Sequence, residues 1–317
     1  MNIGACPPQL RTAARNVAGV CVLGLMLSAA GGCSIKRMAV DRLADALGDG
    51  GSVYAVDDDP ELVGAAVPFG LKILETLLAE TPSHRGVLLA LARGFTQYAY
   101  AWVHVPADEL EGSDVIAAYA QRDRARRLYL RARDYGLRGL EAGASGFAQR
   151  LRFDPSAAAA QLGRDDVAFA YWSSVSWAAA ISLGKDDPSL LAGLPAVQAL
   201  IYRALELDEA YADGAIHTFL ISFEMSRPGV SLEQKMDRAR RHFDRAVVLS
   251  GGQLAGPYLA FAEASAAAAG NRAAFEASLA QALAIDPDAR LEWRLANLIS
   301  QRRARWLQGR VDHFFTE

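Results

Sequence analysis

One helix ending is written three times into this sequence, and that recurrence limits the fold more than any other feature. Tyr202-Arg203-Ala204-Leu205-Glu206-Leu207-Asp208, Asp244-Arg245-Ala246-Val247-Val248-Leu249-Ser250 and Ala280-Gln281-Ala282-Leu283-Ala284-Ile285-Asp286 keep a small residue in the same place. The equivalent alanines, Ala204, Ala246 and Ala282, lie 42 and 36 residues apart. A period of that size marks stacked helical hairpins, each burying its apolar face only against a neighbour. Small alanines let adjoining helices approach closely. Each ending precedes a candidate first helix, around 214–226, 256–269 and 291–305.

The rest of the chain reads the same way. Leu62, Ala66, Phe69, Ile73 and Leu77 recur at helical spacing and share one face, as do Leu88, Ala92, Phe95, Ala99 and Trp102. Glu80-Thr81-Pro82-Ser83 separates the two segments, because Pro82 disfavours helix at Thr81 and suits the first turn of the second helix. Asp-Pro pairs at Asp59-Pro60, Asp154-Pro155, Asp187-Pro188 and Asp286-Pro287 predict helix starts, with Asp accepting free amide hydrogens and Pro losing nothing. The run Asp57-Asp58-Asp59 lacks the alternating ligands, central Gly and distal Glu of a calcium loop, so capping is its reading. No window alternates with period two over five β-branched-rich residues, and no sheet is expected. The fold class is therefore all-α: helical-hairpin repeats in a TPR-like superhelix. The three endings look like the second helix of a tetratricopeptide unit, at a spacing wider than the ideal of about 34 residues.

The N-terminus speaks to location. Arg11 and Arg15 precede an apolar stretch, Val17 to Leu27, too short for a bilayer span, which takes about 20 residues. Ala30-Gly31-Gly32-Cys33 resembles a lipobox with Ala30 where Leu is more usual, giving a signal peptide over 1–32 and lipidation at Cys33. Ser34 rather than Asp after the cysteine points to the outer membrane, so the expected location is the periplasm, anchored to the inner leaflet of that membrane. Residues 33–317 then form a single all-helical domain. Cys6 and Cys21 leave with the signal and Cys33 carries lipid, so no thiol remains for a disulfide, a metal or a nucleophile. The chain has 33 basic and 36 acidic residues; the signal holds two arginines and no acid, leaving a net charge of −5. That balance and secretion argue against a nucleic-acid partner.

Catalytic signatures are missing: no Gly-x-Ser-x-Gly elbow, no His-Glu-x-x-His, no phosphate-binding loop, since Gly184-Lys185 runs into Asp186. No enzyme activity, cofactor or metal is expected. His217 and Glu224 are seven apart on one helix face and can share a ligand, or His217 is a hydrogen-bonded structural histidine. Tyr98 and Trp102 crowd one helix with Phe95 and Tyr100; Trp172 and Trp177 crowd another with Phe169 and Ser176. These rings either line a groove for an apolar or amphipathic ligand or pack the core. The last helix interleaves Arg290, Arg294, Arg302, Arg303, Arg305 and Arg310 with Asn297 and Trp306, as a dock for an acidic partner or carboxylate, or as a solvated face.

One set of motifs runs along the chain: Gly32-Cys33-Ser34, the Asp57–Leu62 run with Pro68-Phe69, Leu74-Glu75-Thr76-Leu77-Leu78 and Gly94-Phe95-Thr96-Gln97-Tyr98-Ala99. Tyr171-Trp172 with Ser176-Trp177, Gly214-Ala215-Ile216-His217 and the stretch Asn297 to Trp306 with Phe314 follow. Taken together and in this order, they resemble the TatT family, the T component associated with tripartite ATP-independent periplasmic (TRAP) transporters. The resemblance implies a membrane-tethered periplasmic protein of tetratricopeptide-like fold that forms a homo-oligomer. It also implies a periplasmic solute-binding protein as partner and ligands of hydrophobic or lipid-like character. It supplies no settled binding residues. The expected function is thus a transport accessory that docks a solute-binding protein and binds or conducts an apolar or amphipathic solute. The alternative is a general outer-membrane scaffold lipoprotein for envelope or pilus assembly.

Overall fold

The computed structural model describes residues 51–315 and, ahead of them, Arg42. The signal peptide and Cys33 lie outside the described residues. The chain is helical throughout, with no strand among the described residues.

Three of the four Asp-Pro pairs start helices. Asp59 accepts from the amides of Glu61 and Leu62, both at 3.0 Å, to open α2 (Pro60–Glu80), which comes after a short α1 (Gly51–Ala55). α3 (Arg85–Ala99) is opened by His84 through the Val87 amide, so Pro82 sits in the turn before the helix rather than in its first turn. A π turn, Tyr100–His104, carries α3 into α4 (Val105–Leu110). The cause is Pro106, which has no amide hydrogen for the carbonyl four residues back. The Val105 amide bonds to the Tyr100 carbonyl instead, and the Ala101 carbonyl that it leaves accepts from Arg302 Nη2 at 2.9 Å.

The longest helix, α5 (Val115–Gly143), leads through α6 (Phe147–Phe153) to α7 (Pro155–Ala160), capped by Asp154. Next come α8 (Val167–Ser182), the single turn α9 (Pro188–Leu191) capped by Asp187, and α10 (Leu194–Leu207). α11 (Ala215–Ser226), α12 (Leu232–Leu249) and α13 (Ala255–Phe261) succeed them, the last continued by a second π turn at Ala262–Ala266. α14 (Arg272–Ala284), α15 (Arg294–Gln308) and α16 (Val311–Phe314) complete the chain. Asp286 caps no α-helix; it accepts from the Asp288 amide at 2.9 Å in a turn.

Ala204, Ala246 and Ala282 fall near the ends of α10, α12 and α14, and each is fully buried. A large apolar core runs from Leu71 to Phe223 through α2, α3 and α5–α11, and a second joins α13–α16 around Phe275 and Leu279. Between them Ile221, Ala239 and Phe261 pack α11, α12 and α13 together. The two ends of the described segment also meet. Arg294 Nη1 donates to the Val56 carbonyl and Arg302 Nη1 to Glu61, both at 3.1 Å, which ties α15 to the entry of α2.

The face of α2 singled out by periodicity is not the buried one. Val63, Leu71 and Leu78 enter the core, while Leu62, Phe69 and Ile73 are exposed, Phe69 at 72%. By length and composition α2 is apolar enough to cross a membrane, as is the stretch Pro188–Leu207. Yet α2 is held to the body by Glu75, whose carboxylate accepts from Tyr135 Oη at 2.6 Å and pairs with Arg131 of α5. Burial would raise the Glu75 pKa, but hydrogen bonds from Lys72 and Tyr135 and the Arg131 charge hold it below the ordinary carboxylate range.

Candidate functional site

A charged groove opens between α11 and α12. On α12, Arg238, Arg241, His242 and Arg245 stand at steps of three, four and seven from the first, which puts them on one face. Opposite them α11 presents His217 and Glu224, seven apart. Tyr202 of α10, Glu209 of the loop after it and Arg227 at the end of α11 complete the wall around a cavity of about 550 Å³.

Glu224 is buried, and Tyr202 Oη donates to it. Arg227 and Arg238 reach its Oε2 through one nitrogen each, at 3.3 and 3.4 Å. Arg245 takes Glu209 in a two-pronged grip at 2.7 and 2.8 Å, which holds the Glu209 carboxyl below its usual range. His217 and His242 meet through their Nδ1 atoms at 2.8 Å. Burial lowers the pKa of both rings. For His242 the neighbouring His217 and Arg241 add to this and bring it to about 4, so at neutral pH the pair is uncharged. One Nδ1 must then donate and the other accept. The Nε2 of His217 lies 3.3 Å from the Glu209 carboxylate, which favours the proton there and makes His242 the donor between the rings. That Nε2 is buried and has no aligned hydrogen-bond partner among the described residues.

A second groove, of about 600 Å³, shares Tyr202 and Arg227 with the first. Its wall is mostly apolar, with Ala159, Leu194, Ala199, Phe223 and Pro228.

A third polar feature joins α15 to α4 and the second π turn. Arg303 of α15 donates through Nε to Glu263 at 2.8 Å, and its Nη2 stands 3.4 Å from Asp108. Arg122 joins Asp108 at 2.8 Å and Glu111 at 2.7 Å. Glu263 sits on the second π turn and Asp108 comes just after the first, so both irregular turns deliver carboxylates to the same arginine. Burial of the Glu263 carboxylate raises its pKa against the pull of Arg303. His104, beside Tyr129 Oη at 3.2 Å, is lowered chiefly by burial.

Of the residues singled out in the sequence, His217 lines the charged groove and Arg303 centres the buried chain. Arg303 and Arg310 both lie over the Trp306 ring, with guanidinium carbons 4.5 and 4.7 Å from its centroid. Asn297 is buried and braces α13, accepting from the Ala255 amide at 2.9 Å and donating to the Gln253 carbonyl at 3.0 Å. Tyr98 stacks on Trp102 with centroids 5.9 Å apart, and the Trp102 indole donates to the Pro60 carbonyl. Trp172 packs edge-on against Tyr171, and Trp177 lies under Arg133 and against Gly193. None of these four rings lines either groove. Arg238, Arg241, His242 and Arg245 are not singled out by any sequence motif, although their spacing on one helix face is a usable signal.

The model of the family described as "TRAP transporter T-component" matches residues 56–315 of this chain. A protein of Treponema pallidum (strain Nichols), described as uncharacterized, is 32% identical over 308 residues, covering 90% of this chain and 94% of its own.

Proposed function

This chain belongs to the family of TRAP transporter T-components, and from that premise we propose that it is a periplasmic lipoprotein, held by lipid on Cys33, that docks the solute-binding protein of a TRAP transporter. The observation that carries the reading is the reach of the family match, which takes in both cores, both grooves and the tie between α15 and the entry of α2. The apolar groove supports a role in holding an apolar or amphipathic solute, since Ala159, Leu194 and Phe223 would be covered by a hydrocarbon moiety. The uncovered face of α2 supports self-association, because permanent interfaces are more apolar than transient ones.

In-cell crosslinking followed by identification of captured proteins tests the docking. Recovery of a TRAP-type solute-binding protein is expected; recovery of assembly or cell-wall machinery alone, with that binding protein expressed, would sink it. Cys33→Ser tests the anchor, and the variant should leave the membrane fraction.

A further inference from the structure

We propose that the charged groove between α11 and α12 is a binding site for an oxyanion, a carboxylate or phosphate group carried by a small molecule. The site adjoins the apolar groove, sharing Tyr202 and Arg227 with it, and does not depend on docking.

The charge count is the first argument. Four arginines face the cavity against two carboxylates, and the two imidazoles are neutral at pH 7. Arg245 and Glu209 neutralise one another at 2.7 Å. Glu224 has to satisfy both Arg227 and Arg238, whose contacts of 3.3 and 3.4 Å use one nitrogen of each. A guanidinium carries five N–H donors, so most of those on these two side chains remain free. Arg241 forms no ion pair among the described residues.

His217 is the second argument. Its side chain is 7% exposed, and the tautomer set by the His242 contact and the Glu209 carboxylate gives its Nε2 a proton with no aligned acceptor. The proton that Glu209 favours on Nε2 is not aligned on that carboxylate, which Arg245 already holds at two points, so this donor can turn to an acceptor in the cavity. The donors that converge here are planar guanidinium edges and an imidazole N–H, which match the oxygens of carboxylate and phosphate. An apolar occupant would leave them all unpaired, and a cation would meet an excess of like charge. The cavity, about 550 Å³, admits a molecule of several carbon atoms rather than a bare ion alone.

The test is calorimetric titration of the full-length protein, purified in detergent at low ionic strength, with citrate and with inorganic phosphate. Saturable binding of either anion is expected, and the one that binds identifies the oxyanion as carboxylate or phosphate. Arg241→Gln should weaken it about ten-fold or more. This side chain is exposed and carries no ion pair, so the fold is not at stake; an unchanged thermal melt checks that. His217→Gln should weaken it similarly. Absence of saturable heat from both anions up to about 10 mM overturns the proposal. So does binding that neither substitution alters.

Discussion

Two neutral imidazoles joined through Nδ1 can hold one proton between them, and that arithmetic makes the His217–His242 pair pH-sensitive. Both folded-state pKa values lie below the unfolded value of 6.5, His242 at about 4. As pH falls below about 6.5 the unfolded chain takes up protons that the folded chain refuses, so stability is full above that pH and drains away toward 4. His242 contributes no more than about 3 kcal/mol of this, and less to the extent that water reaches the ring. The Glu209 carboxyl is held below its ordinary carboxylate range, chiefly by Arg245. Urea unfolding of the wild type and of His242→Gln at pH 7.5 and 5 should show the variant losing less stability between the two. Equal losses would remove the pair from the account. The sequence discloses half of this site, because His217 and Glu224 share a face of one helix. His242 and the arginines stay hidden in it, since their opposition depends on how two helices register, which local spacing does not encode.

Helix contacts carry the same lesson. α5 and α8 cross where Gly136 meets Ser173 and Gly139 meets the Phe169 ring, an antiparallel seam in which added side-chain atoms would overlap their neighbours. In an isolated helix Gly→Ala gains up to about 1 kcal/mol. At Gly139 the overlap with a buried ring should reverse the sign, and Gly139→Ala should cost about 1–3 kcal/mol in urea unfolding. A stabilised variant would show that the seam yields. Helix existence is legible throughout from periodicity and Asp-Pro caps, but which face of a helix goes inward is not. α2 is the case in point, being apolar nearly all round: Leu62, Phe69 and Ile73 satisfy the helical period as well as Val63, Leu71 and Leu78 do. If that outer face is where copies of the chain meet, Phe69→Glu should reduce the sedimenting mass of the protein to that of one chain. Because the residue is 72% exposed, the melting temperature should fall by no more than the interface contributed. An unchanged mass assigns α2 to another partner.

Arg303 joins parts of the chain that lie far apart in sequence, and its energetics derive from that position. It reaches Asp108 on α4 and Glu263 on the second π turn, while its helix also holds Glu61 and the Ala101 carbonyl through Arg302. By its place in the last helix alone it reads as a docking cation or part of a solvated face. Burial to 10% exposure places it in the structural tie between the two ends of the described segment instead. Pro106 signals an interruption of helix near the first π turn but not its form, and the second π turn lies in an alanine-rich run that local propensity reads as ordinary helix. Breaking a buried ion pair by removing one member costs about 3–5 kcal/mol, chiefly because the other charge stays buried alone. Glu263 keeps 30% side-chain exposure, so the lower end applies, and Arg303→Met should cost about 3 kcal/mol. Adding Glu263→Gln removes the stranded charge and should recover a good part of that loss, although Asp108 keeps only Arg122. The double variant should therefore be more stable than the single one by urea unfolding, a coupling of the size expected for residues in direct contact. If the two substitutions simply add, the pair contributes nothing by charge, and the tie between the ends rests on packing and on the Arg302 and Arg294 bonds alone.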